Sequence, residues 1–223
     1  RINTGGMPLT QQEIRHALYQ GAATKLLEKL VQSAAFELAV DYSIDDSRMA
    51  GRELVLRFIA FRVIHHSAFT GDMDKFLSNA MRVINLAPHI PNVAIYKIFK
   101  NNQSPVVGEL DSVRLERDFE SAMLRSYDFF GEYAFRKAVS GQRRTPVNKA
   151  LFEAWANILC HLTDGQYAKL RNRRELFLSE YKGLLKSDDF DRAISRDSSS
   201  IFGVRERYQL LWNLVEGVGG IDD

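Results

Sequence analysis

An all-α fold, a bundle of about eight helices, is what this sequence predicts. Apolar residues recur at three- and four-residue steps through most of its 223 residues. No segment shows the alternation of a half-buried strand. Helix caps, prolines and glycines punctuate the periodic stretches where starts and stops belong.

Thr10 reads as an N-cap with Glu13 completing a capping box, which predicts a first helix over 11–20 stopped by Gly21. A second runs over 25–33 on a stripe of Leu26, Leu27, Leu30 and Val31. The 41–46 stretch is turn-like, and Ser47 is placed to cap a long helix reaching about His66. That helix is apolar on most sides, through Leu54, Val55, Leu56, Phe58, Ile59, Phe61 and Val63, so it belongs at the centre of the fold.

A further helix covers 73–86. Pro88, Pro91 and Pro105 then mark 88–108 as a sub-boundary or extended crossing, with 92–100 still capable of helix. From Glu109 onward Leu115, Phe119, Ala122, Met123 and Phe130 keep helical step. After the basic loop 140–144, Thr145-Pro146 reads as a cap with proline in the first turn, opening a helix with Val147, Leu151, Trp155, Ile158 and Leu159 on one face. Asp164-Gly165 breaks it. A basic amphipathic helix over 166–186 and a last one over 204–215 complete the set. Gly217, Gly219, Gly220 and two aspartates look like a frayed natural end. No repeat period is present.

Composition bounds the function. Hydrophobic residues make 45 % and charged residues 26 % of the chain, as in an ordinary globular protein long enough for one large helical domain or two small ones. A net charge of +2 and a pI near 8.6 permit nucleic-acid binding without demanding it. The single cysteine, Cys160, rules out a disulfide within the chain and points to a reducing, cytoplasmic setting. In the run Ile158-Leu159-Cys160 it reads as a small core residue. No stretch has the length of a membrane span, since the apolar run over 54–64 is interrupted by Arg57 and Arg62. The polar, Gly-rich start does not resemble a signal peptide.

The opening residues carry the most chemistry. Arg1-Ile2-Asn3-Thr4-Gly5-Gly6 leads directly into the capped helix. Glycines let a backbone approach a ligand closely, and a helix N-terminus attracts phosphate. The chain is expected to open in the middle of a functional site. The bland alternative is a tight turn into a capped helix.

This string, with Leu9-Thr10 and Glu13-Ile14-Arg15, resembles the signature of the ParB/sulfiredoxin-like "domain of unknown function 262" family. The family includes GmrSD-type modification-dependent restriction enzymes and related anti-phage defence proteins. Leu54-Val55-Leu56-Arg57-Phe58, 129–136 and Asn148-Lys149-Ala150-Leu151-Phe152-Glu153 fit it more loosely. The resemblance implies that 1–21 complete an N-terminal α/β domain and that 22–223 form the helical C-terminal portion. It also implies an upstream Asp-Gly-Gln-x-Arg motif for nucleotide hydrolysis, which this chain does not contain. Asp164-Gly165-Gln166 is a decoy, with Ala168 where arginine would stand.

A more distant similarity, to ParB-type CTPases, aligns Asn3 with an asparagine that helps hold a metal–triphosphate. Leu9, Thr10 and Glu13 then take the motif's Leu, cap and Glu. Ile2 and Gly6 depart from that motif's Glu and Arg. Arg1, Asn3, Thr4, Gly5 and Gly6 are therefore expected to form one wall of an NTP site that takes Mg2+ in the intact parent protein.

Arg57 is a second candidate nucleotide ligand. It lies among apolar positions, where it needs a carboxylate, several carbonyls or a bound anion; structural pairing is the competing reading, with Glu13 as one partner. His65 and His66 point about 100° apart on a helix, and with His16, His89 and His161 scattered no metal site is expected. His16 is notable for lying on the motif helix. Arg143, Arg144, Lys169 and Arg173 are candidate DNA contacts, against a solvated-face reading supported by the nearby Glu175 and Glu180.

The expectation is a helical part of a nucleotide-dependent restriction or defence protein, catalytically silent alone. It would relay nucleotide state to DNA or to an HNH-type nuclease partner. The alternative is a non-enzymatic helical interaction module.

Overall fold

A computed structural model describes residues 7–99 and 110–221. Twelve α-helices fill these residues: α1 (Gln11–Leu18), α2 (Ala22–Val31), α3 (Ala34–Ala39), α4 (Ala50–Val63), α5 (Met73–Ile84), α6 (Asn92–Phe99), α7 (Ser112–Phe130), α8 (Lys149–His161), α9 (Asp164–Asn172), α10 (Arg174–Leu184), α11 (Asp188–Ile194) and α12 (Ile201–Gly219). The one β feature among them is an isolated antiparallel bridge between Arg136 and Val147. The fold is all-α, with twelve helices where the periodicity suggested about eight. None of the described helices is long and apolar enough to cross a membrane.

Helix α4 lies at the centre, against α2, α5, α7 and α8. Leu54, Val55, Leu56, Phe58, Ile59 and Ala60 are all buried, so this helix meets protein around its whole circumference and has no wet face to give it amphipathicity. Each such aliphatic or aromatic side chain contributes roughly 1.5–3 kcal/mol of burial. Phe58, Phe36 and Phe152 form ring contacts that tie α4, α3 and α8 to Phe119 of α7 or to one another, with centroids 5.3–6.2 Å apart. A second aromatic cluster joins α7, α8 and α10 around Trp155, whose indole N–H donates to the Tyr181 hydroxyl at 3.0 Å. α12 closes the bundle against α8, α9, α10 and α11.

Several boundaries differ from the periodicity, each for a local reason. α4 begins at Ala50 rather than near Ser47, because Ser47 turns back to Asp45 and Met49 takes a left-handed conformation with φ 60°. The Asp46 carboxylate instead accepts the Arg52 N–H at 2.9 Å and caps α4 from outside. Thr145 does not cap α8: its hydroxyl accepts from Lys137 N and its carbonyl from Arg136, so Asn148 caps the helix, accepting from Leu151 N at 3.0 Å. The helix expected over 166–186 is two, bent at Arg173, and Asp164-Gly165 opens α9 instead of only ending α8. The bend is held by tertiary bonds from Arg173 Nη1 to the Val218 carbonyl (2.8 Å) and from Arg174 Nε to the Phe129 carbonyl (2.6 Å).

The last helix runs longer than 204–215, from a Ser200 cap to a left-handed Gly220. α3 and α11 were not anticipated: at six and seven residues they are too short to show a period. The first helix ends at Leu18. Gly21, with φ 144°, then turns the chain into α2 under Asn85, whose side chain bonds the Tyr19 and Gln20 carbonyls and the Ala23 N–H. In the expected 88–108 crossing α6 is helical, and 100–109 lie outside the described residues.

Candidate functional site

Arg1, Asn3, Thr4, Gly5 and Gly6, the expected wall of an NTP site, lie outside the described residues. The helix start at Thr10 follows them in sequence. Thr10 and Glu13 form the capping box: Glu13 N donates to Thr10 Oγ1 (3.1 Å) and Thr10 N to Glu13 Oε2 (2.6 Å). Arg48, just before α4, clamps this helix start. Its Nη2 donates to Glu13 Oε2 (2.8 Å) and to the Pro8 carbonyl (2.6 Å), and its Nη1 lies 2.9 Å from Met7 Sδ. The bonds from Arg48 and from Thr10 pull the Glu13 carboxyl from 4.5 down to about 2. The partner of Glu13 is thus Arg48 and not Arg57, because the capped turn sits over the head of α4 and Arg57 lies two turns further in.

α1 also presents an unusual polarity. Its buried residues are Gln12 and Arg15, the latter bonded to Gln12 and, at 2.8 Å, to Asp74 of α5. Gln12 Nε2 and His16 Nδ1 are buried without a hydrogen-bond partner. Met7, Leu9, Ile14 and Leu18 face solvent. Leu9 and Ile14 occupy the positions of a hydrophobic staple, which accounts for two of the four.

A second polar cluster runs through the core. Arg57 Nε donates to Glu53 (3.1 Å) and Nη1 to Glu153 (2.8 Å). Arg207 of α12 donates to the other oxygen of Glu153, and both Arg207 and Glu153 are fully buried. Lys149 reaches Glu53 from the surface at 2.7 Å. Burial pushes both arginines below their ordinary value, and the shared carboxylate offsets the desolvation of the two charges. This chain of alternating charges joins α4, α8 and α12. It is the pairing a buried arginine requires, and it engages Arg57 with Glu53 and Glu153 inside the core.

The four basic candidates separate. Arg144 pairs with Asp41 and lies 3.6 Å from Glu132, while Arg143 is exposed on the same loop. Lys169 and Arg173 share a cleft of about 320 Å3 with Asn172, Gly219 and Gly220. Lys169 forms no ion pair among the described residues. The Asp164-Gly165-Gln166 turn is a cap: Thr163 and Gln166 form a box, and Arg125 holds Asp164 at 2.5 Å. Among the described residues no three His, Cys, Asp or Glu side chains are grouped to hold a metal. Half-buried His66 stacks on Tyr208 at 4.6 Å, and burial with the charges of His65, Arg205 and Arg207 lowers it to about 4. Cys160 is half-buried, and burial raises its thiol.

Arg48, Glu153 and Arg207 were missed from sequence. A charge inside an apolar stripe was the available signal: Glu153 between Phe152 and Trp155, and Arg207 in step with Val204 and Leu211. No family model, curated protein or solved structure matches this chain.

Proposed function

We propose that this chain is the helical part of a nucleotide-dependent DNA restriction or anti-phage defence protein of the ParB/sulfiredoxin-like kind. In this reading residues 1–6 complete an NTP–Mg2+ site together with a ParB/sulfiredoxin-like domain, and the helices pass the nucleotide state to DNA or to an HNH-type nuclease partner. The chain is, in this reading, catalytically silent alone, and its residues bind and position.

One observation carries the proposal: the Arg48 clamp. A capped helix start lying directly after Arg1–Gly6 is fastened, through Glu13 and the Pro8 carbonyl, to the head of the central helix. Movement of the opening segment on nucleotide binding would therefore reach α4, and through the Glu53–Arg57–Glu153–Arg207 network reach α8 and α12. Thr10 and Glu13 spend their side chains on the cap and on Arg48, so they position the segment and leave phosphate contact to Arg1, Asn3, Thr4 and the two glycines.

The test is nucleotide hydrolysis by the complete gene product, with and without modified DNA. Asn3→Ala is expected to lower nucleotide affinity and turnover at least about tenfold, the loss of one good ligand contact. Arg48→Ala is expected to keep nucleotide binding and lose the response to DNA. Wild-type hydrolysis in the Asn3 variant contradicts the proposal.

A second reading, a non-enzymatic helical interaction module, is favoured by exposed apolar side chains on α1 and the turn before it. Met7, Leu9 and Leu18 are each more than 60 % exposed. If Leu18→Glu abolishes a partner contact while the complete protein shows no nucleotide binding, this reading replaces the first.

A further inference from the structure

We infer that the cleft between the α9–α10 bend and the end of α12 is a seat for a single phosphate ester group. The inference deepens the DNA-contact part of the proposed function and rests on it for the choice of DNA as the first source to test.

Three features converge there. Lys169 and Arg173, one helical turn apart, bring two positive charges to the rim, and Asn172 adds a side-chain amide. Gly219 and Gly220 complete the lining of this cleft of about 320 Å3. A Cβ on Gly220 would stand 3.8 Å from Arg173 Nη1, and its φ of 58° is one that side chains rarely accept. Beside the cleft, α10 starts without a side-chain cap. The positive end of this 11-residue helix has no side-chain cap, and Glu175 is the one acid in its first turn.

The competing role of these cations is to neutralise the carbonyl end of α12. Arg173 does this with one nitrogen, Nη1, bonded to the Val218 carbonyl at 2.8 Å. Its other guanidinium nitrogens, and the whole Lys169 ammonium, make no bond to the described residues. Two cations exceed what a helix C-terminus of about half a charge requires. Glu175, in the first turn of α10, is the acid that sets a limit on how much negative charge the seat takes. A single phosphate group fits that balance. Arg144, already held by Asp41, is not a comparable seat.

The phosphate can belong to a nucleic-acid backbone or to a small phosphorylated molecule. NMR titration of the 223-residue chain with inorganic phosphate, and separately with a short DNA duplex, distinguishes the two. The expected result is that both probes shift the amides of Lys169, Asn172, Arg173, Gly219 and Gly220. Lys169→Gln, which removes a side chain that braces nothing in the fold, should weaken both roughly three- to tenfold and flatten the salt dependence of duplex binding by about one unit of slope. Arg173→Gln should weaken both further, but it also loosens the end of α12, so Lys169→Gln decides. Phosphate shifts without duplex shifts keep the seat, assign it to a small phosphorylated ligand and remove the DNA reading. Duplex binding that leaves these amides unmoved, or that Lys169→Gln does not weaken, overturns the seat while DNA binding stands. Absence of both kinds of shift overturns the seat and the DNA contact together.

Discussion

Glu153 carries two arginines on one carboxylate in a site closed to water, and the consequences of losing it are asymmetric. Glu153→Gln leaves Arg57 and Arg207 charged, buried and short of a counter-ion, a loss expected to cost about 3–5 kcal/mol in urea or thermal unfolding. A loss under about 1 kcal/mol would mean that the network is not a structural tie between α4, α8 and α12. At the other end of α4, Glu13 has its acid form disfavoured by Arg48 and by the Thr10 N–H. Because its folded value is depressed, its contribution is complete above about 4.5 and is lost as pH falls toward about 2. Hydrogen exchange of the α1 amides should therefore be unchanged from pH 7 to 5 once corrected for intrinsic rates, and accelerate below pH 4. Arg48→Ala should weaken that pH dependence and move its onset up in pH, leaving the part due to the Thr10 bonds. His66 behaves alike for a different reason: held neutral with a value near 4, it makes acidification below its ordinary 6.5 destabilising.

Helices that run long and bury one residue type throughout were legible, and those fixed by distant partners were not. The mostly apolar circumference of α4 predicted its central place, and Thr10 with Glu13 predicted a capping box that is present. The bend at Arg173 was hidden because the sequence over 166–186 is locally good helix; bonds to the Val218 and Phe129 carbonyls, far away in sequence, redirect it. Thr145 failed as a cap for the same kind of reason, its hydroxyl being taken by the Lys137 N–H. The charged core network was equally concealed, since Glu53, Glu153 and Arg207 meet across 54 or more residues of chain. The two interior glycines of α12 make a paired test of packing at this scale. A Cβ on Gly203 would collide with the Asp197 carbonyl, whereas one on Gly217 would meet nothing within 4 Å. Gly203→Ala should destabilise by about 1–3 kcal/mol, while Gly217→Ala should stabilise by roughly 0.5–1 kcal/mol through helix propensity.

For the molecule as a whole, the arrangement suggests a path from one end to the other. The start of α1 is clamped to the head of α4 by Arg48; α4 is tied by charge to α8 and α12; α12 ends at the cleft that Lys169 and Arg173 line. Nucleotide at the first and phosphate at the last would then be coupled reciprocally, each raising or lowering affinity for the other by the same factor. How much of that site could be read from sequence divides cleanly. The cap at Thr10 and Glu13 was legible, but the clamp on it depends on Arg48, which is 35 residues from Glu13, and Arg1, Asn3, Thr4, Gly5 and Gly6 lie outside the described residues. The most direct measurement is DNA affinity of the complete gene product with and without a nonhydrolysable nucleotide, in wild type and Arg48→Ala. The account predicts a nucleotide-dependent change of about fivefold or more that vanishes in the variant while nucleotide affinity persists; equal DNA affinity with and without nucleotide in the wild type contradicts it.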